Sequence, residues 1–177
     1  MKTLLTGFQP FGGSLQNPSG LLAKHFGGIV LPVVRQKSFD ILMESFEIIK
    51  PDAILMLGQA QGIEQINLER IAINLDDYSI PDNDGNQPKE EKIIKDAPDA
   101  YFSTLPLGLI HAKLTNHQIP NRYSLSAGTY ICNHLFFQVM HFINSNQKNI
   151  PAGFIHIPVN MEWECMRKAV QLTLSLF

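Results

Sequence analysis

The chain has 177 residues, 45% of them hydrophobic and 17% charged, with 14 basic against 16 acidic side chains for a formal net charge of −2. A charged fraction below the roughly 25% of an average soluble protein, beside ordinary hydrophobicity, excludes a disordered chain and describes one able to bury a core. The lack of a basic cluster excludes nucleic acid as the main partner, and no run reaches the ~20 apolar residues that span a bilayer.

In chain order, predicted strands and helices alternate, the pattern of a single α/β domain with helices packed on a mostly parallel sheet. The opening Met1-Lys2-Thr3-Leu4-Leu5 imitates a signal peptide, but Gly7, Gln9, Pro10, Gly12 and Gly13 break the run early, so the expected setting is a reducing compartment. Lys2 to Thr6 is a first strand feeding a Gly-rich loop. Ser19 is expected to cap a short helix through about Phe26, followed by a strand at Ile29 to Val33. Phe39, Leu42, Met43, Phe46 and Ile49 repeat at helical spacing until Pro51 stops them. Ala53 to Leu57 is apolar throughout and short enough for a buried strand, and Leu68 to Leu75 reads as one further strand with a covered face.

From Asp76 to Pro98 the chain is polar and aperiodic, and Pro81-Asp82-Asn83-Asp84-Gly85-Asn86-Gln87-Pro88 has the composition of turns. Pro106 to His117 is a predicted helix, Tyr123 to Leu125 a brief strand, and Cys132 to Ile143 a strongly apolar helix. Phe154 to Ile157 forms the last strand, and Met161 to Leu176 the last helix.

Two cysteines are too few for a disulfide framework, and neither has the spacing of structural zinc. Cys132 falls where a predicted turn enters a helix. There the positive end of the helix dipole and the unpaired amide hydrogens stabilise a thiolate, and the same amides can bind a forming oxyanion. Cys165, mid-helix, lacks that setting and reads as a small hydrophobe. A nucleophilic thiol needs a base. His156 stands at the C-terminal end of a predicted strand, where α/β domains place their ligand sites, although a satisfied core histidine would have the same pattern. His134, two residues after Cys132 on a helix, points away from the thiol, and His25, His111, His117 and His141 look like helix-face residues. Glu69 lies among apolar strand residues and must be paired there, with His156, with Arg70 or with a distant Lys. A calcium loop at Asp82, Asp84 and Asn86 fails at its sixth and twelfth positions, Gln87 and Ile93. A metal site from Cys132, His134 and His141 fails on helix-face geometry.

Six blocks then converge on one family. They are Gly7-Phe8-Gln9-Pro10-Phe11-Gly12-Gly13 with Asn17-Pro18-Ser19, Gly58-Gln59-Ala60, Glu69-Arg70-Ile71-Ala72-Ile73-Asn74, Ile80-Pro81-Asp82-Asn83 through Pro88, Ala127 through His134, and Gly153 through Pro158. In this order they closely resemble pyroglutamyl peptidase I, or pyrrolidone-carboxylate peptidase. The resemblance implies a three-layer α/β/α sandwich with a mostly parallel, mixed sheet. It also implies a cytoplasmic cysteine exopeptidase that removes N-terminal pyroglutamyl residues from peptides, assembled as a homo-oligomer (dimer or tetramer) and needing neither metal nor cofactor. By motif, the nucleophile falls on Cys132, the base on His156 and the orienting acid on Glu69. The substrate-binding positions fall on Phe8, Phe11, Asn17, Val33, Gln59, Ile80, Tyr130 and Ile131. Aromatic walls and amide hydrogen bonds suit a neutral lactam, and the chain's polarity is rich in amides, with 12 Asn and 11 Gln.

The chain departs from the family pattern in having Ser79 and Ile63 where bacterial members commonly carry Arg. A lost charged donor at the oxyanion can cost ~3 kcal/mol, ~100-fold in rate. The departure implies weakened or altered peptidase activity, or as an alternative a pyroglutamyl-peptide binding protein. The chain is also trimmed between Ser19 and Ile29 and after Pro158, outside the blocks that carry the chemistry.

Overall fold

The computed structural model describes residues 2–177. In chain order the elements are β1 (Thr3–Phe8), α1 (Pro18–His25), β2 (Ile29–Leu31), α2 (Arg35–Ile49), β3 (Ala53–Ala60), β4 (Ile66–Glu69) and β5 (Ile71–Ile73). There follow β6 (Ala100–Phe102), α3 (Leu107–Asn116), β7 (Asn121–Ser124), α4 (Ile131–Ser145), β8 (Ala152–Pro158) and α5 (Trp163–Leu174). Six strands form one sheet in the order β2-β1-β3-β8-β4-β7, and β5 and β6 form a separate two-stranded sheet. The large sheet is parallel throughout except where β4 runs antiparallel to β8, so it is mixed, as expected.

The layers follow from alternation along the central strands. Leu4, Ile54, Met56 and Phe154 pack on one face with Leu42 and Phe46 of α2 and Leu135 and Val139 of α4. Their neighbours Leu5, Leu55, Leu57, Ile155 and Ile157 pack on the other face with Leu22 of α1, Ile110 and Leu114 of α3, and Met166 and Val170 of α5. β3 and β8 are buried over nearly their whole length because both faces are covered, which is why they read as uninterrupted apolar runs.

Two sequence expectations are corrected, and one strand is added. The cap of α1 is Asn17, whose Oδ1 accepts from Ser19 N at 3.0 Å, with Pro18 in the first turn. The Ser19 hydroxyl instead donates to Asn17 Oδ1 at 2.7 Å and accepts from Phe8 N at 3.2 Å, tying the helix start to the end of β1. The single strand expected at Leu68 to Leu75 is two, β4 in the large sheet and β5 in the small one, because the chain changes partner at Arg70. β6, the partner of β5, lay unrecognised, since three residues of mixed exposure carry no periodicity.

The 76–98 segment contains no regular element beyond an isolated bridge between Asp76 and Glu91. Buried polar groups order it. Asp76 Oδ2 accepts from Arg35 Nε at 2.7 Å and pairs with His134 Nδ1 at 2.8 Å, and Arg35 also reaches Glu91 at 3.0 Å. Asp82 accepts backbone hydrogen bonds from Arg35, Asp84 and Asn86. Burial alone would raise its carboxyl pKa, but these donors outweigh burial and hold it below the ordinary carboxylate range. The side chain that could have opened a calcium loop is thus spent on turn geometry. Asn74 closes the segment by donating to Ile94 O and accepting from Ile94 N.

Candidate active site

Three elements, β4, β8 and α4, bring the predicted chemical residues together. His156 lies on β8 in register with Gly58 of β3 and Asn67 of β4, and Glu69 ends β4 opposite Phe154. The antiparallel turn of β4 against β8 delivers Glu69 to His156: Nδ1 lies 2.8 Å from Glu69 Oε1, and both side chains are buried. A carboxylate can only accept, so Nδ1 carries the proton and Nε2 is left for the thiol side.

Cys132 is the second residue of α4. The preceding Tyr130 is extended at the N-cap and makes no side-chain cap, so the first-turn amides Ile131 to Asn133 are left without helical partners. The helix start can settle onto the sheet because residue 58 is glycine. A Cβ there would stand 2.8 Å from Cys132 Sγ and 2.7 Å from Cζ of Phe154. Burial pushes the His156 pKa down, but hydrogen bonding and charge from Cys132 and then Glu69 overcome it and raise the imidazole to about 9. The arrangement sets a cysteine at a helix start beside an imidazole held in its charged form, with an acid holding the ring.

Beside the thiol is a small, tight space lined by Phe8, Phe11, Asn17, Val33, Gln59, Tyr130, Ile131 and Cys132. Seven of the eight predicted substrate positions thus share one small space with Cys132. Ile80 is absent from that lining. It is 40% exposed and lies over Gly12, its Cδ1 3.5 Å from where a Cβ of that glycine would be. Tyr130 packs against Phe11 at 5.7 Å and edge-on against the fully buried Tyr78 at 4.7 Å, and its hydroxyl donates to Pro81 O. Burial, then the Asp82 and Cys132 charges, push Tyr130 up to about 12, so the wall is a neutral phenol at ordinary pH.

Sequence reasoning missed the groups behind this wall. Asn133 accepts from Ile73 N and donates to Ile73 O and Leu75 O, fastening the start of α4 to β5, while His134 faces away from the thiol toward Asp76. The Asn133 and His134 partners lie 58 to 60 positions away in the chain, so spacing gives no signal. The one available hint was two polar residues opening an apolar helix. Ser79, one of the departures from the family pattern, is exposed, and of its groups the backbone carbonyl is engaged, by Gln87. Among the described residues it takes no part in the cavity lining, and nothing in the site favours the binding-protein alternative.

An acid-held imidazole beside a thiol at a helix N-terminus, on a doubly covered α/β sheet, defines a hydrolase of the cysteine-peptidase class. A family model described as pyroglutamyl peptidase matches residues 1–170. The pyrrolidone-carboxylate peptidase of Thermosipho africanus is 44% identical over 167 residues, 89% of this chain and 82% of its own. Among solved structures, pyroglutamyl peptidase I from Bacillus amyloliquefaciens is 38% identical with a TM-score of 0.95, covering 97% of this chain and 92% of that one. The pyrrolidone carboxyl peptidase from Thermococcus litoralis is 40% identical with a TM-score of 0.95, covering 99% and 93%. The chain belongs to the pyroglutamyl peptidase family.

Proposed function

We propose that this chain is a cytoplasmic exopeptidase that cleaves pyroglutamate from the N-terminus of peptides, with Cys132, His156 and Glu69 as its catalytic groups. The observation that carries the reading is the shared cavity: the thiol coupled to His156 is also a wall of a small, largely apolar space with two amide side chains, Asn17 and Gln59. A pyroglutamyl ring is a compact uncharged lactam whose N–H and C=O need one acceptor and one donor, and an amide side chain supplies both.

In the first step the Cys132 thiolate attacks the pyroglutamyl carbonyl, and the amides at the start of α4 face the oxyanion that forms. The imidazolium of His156 gives its Nε2 proton to the leaving amine as the C–N bond breaks, leaving a thioester. Neutral His156 then takes a proton from water, which attacks the thioester and releases pyroglutamic acid and the thiolate. Glu69 keeps Nδ1 protonated and stabilises the imidazolium in both halves. None of these steps calls on a metal or cofactor, and the working form is read as a homo-oligomer.

Replacing Cys132 with Ala tests the assignment. Hydrolysis of a chromogenic pyroglutamyl amide is expected to fall at least ~10³-fold, with unchanged circular dichroism. Activity equal to wild type would sink the mechanism.

A further inference from the structure

The space beside the thiol is too small for more than a single residue, so the rest of a peptide must lie elsewhere. Next to it is an open groove of about 530 Å³ between the loop before α1, α1 itself and the connection from β8 to α5. The two spaces meet at Gln59, a side chain only 7% exposed that lines both. They meet again at consecutive residues, Asn17 lining the cavity and Pro18 the groove. Beyond His156, β8 ends at Pro158, and the chain from Val159 onward forms the far wall. A peptide whose scissile bond is held at the Cys132 thiol therefore has a continuous path over Gln59 into this groove.

The lining matches a peptide chain. Gln59, Gln61 and Asn160 offer both donors and acceptors, as a backbone with alternating N–H and C=O requires. Leu21, Met161 and Trp163 supply an apolar floor. Glu162, exposed at the rim, is the single ionisable residue of the lining. We infer that this groove is the leaving-group subsite: it seats the residue after pyroglutamate, favouring an aromatic or apolar side chain against Trp163, and Glu162 discriminates against acidic residues. This inference rests on the peptidase reading above.

Selectivity is read as ratios of kcat/KM among pyroglutamyl-Phe, -Gly, -Lys and -Glu amides. Wild type is expected to favour Phe over Gly by about tenfold, and Trp163→Ala to reduce that ratio to about one. Glu162→Lys, a change at an exposed position, is expected to reverse the order of the Lys and Glu amides by about threefold each way at low salt. Because Trp163 is the only tryptophan, its emission also reports the groove directly. In Cys132→Ala, pyroglutamyl-Phe amide is expected to shift the emission saturably, whereas pyroglutamic acid, which fills the cavity alone, is expected to leave it unmoved. Wild-type selectivity preserved in both groove variants, or binding of pyroglutamyl-Phe amide seen by calorimetry with no change in emission, overturns the subsite. Inertness of the wild type toward all four amides is a different failure, that of the peptidase reading itself.

Discussion

His156 is subject to opposed effects: burial favours its neutral form, and the adjacent thiol and carboxylate favour its cation. The cation prevails, so the ring is protonated at neutral pH and able to donate to a leaving amine without first collecting a proton. The sign of the pH dependence follows. A raised imidazole pKa keeps the acid form available up to about 9, and activity is expected to fall as pH rises through that value. Glu69→Gln retains a carbonyl oxygen able to accept from Nδ1 but removes the charge. The alkaline limb of the kcat/KM profile is then expected to move to lower pH, with a fall in kcat. An unmoved limb would show that Glu69 does not stabilise the imidazolium. At this scale local motifs single out Cys132, His156 and Glu69, which the fold brings together. The sequence is silent on Asp76, Arg35 and Asn133, whose meaning comes only from partners distant in the chain.

Between elements, the site depends on how closely the start of α4 approaches β3, and Gly58 sets that distance. Gly58→Ala would place a methyl group 2.8 Å from Cys132 Sγ and equally close to the Phe154 ring, so the helix start or the ring must shift. A displacement of ~1 Å at a reacting atom costs about 100-fold in rate. Overpacking costs ~1–3 kcal/mol in stability. Turnover is therefore expected to fall far more than stability, as measured by amide hydrolysis beside a urea melt, and normal turnover would refute the packing argument. Element existence was largely legible from apolar runs and helical spacing. What stayed hidden was partner choice. Nothing in Glu69-Arg70-Ile71 says that the chain leaves one sheet for another there, since both strands bury apolar side chains and differ only in which strand supplies their hydrogen bonds. The cap of α1 is ambiguous for a similar reason: Asn17 and Ser19 are both good caps, and Pro18 at the first helical position decides between them.

For the molecule as a whole, alternation along the strands couples the two helical layers. Leu55 of β3 belongs to the core with α1, α3 and α5, and its neighbour Met56 to the core with α2 and α4, so neither layer can detach without uncovering strands that the other needs. The site inherits this coupling, because His156 and Glu69 come from the sheet and Cys132 from a helix on one face. The 177 residues are therefore expected to unfold as one unit although the apolar residues divide into two clusters. Trp163 packs edge-on against His25 at 5.8 Å and reports the α1–α5 side, whereas far-ultraviolet circular dichroism reports the helices of both layers. The two urea transitions are expected to coincide. Leu55→Ala and Met56→Ala, each removing buried methylene groups, are each expected to cost ~2–5 kcal/mol and to move both probes together. A Met56→Ala variant whose circular-dichroism transition moved while its Trp163 emission transition stayed in place would mean two separately melting layers, and the geometry joining Cys132 to His156 would then be lost before the fold was.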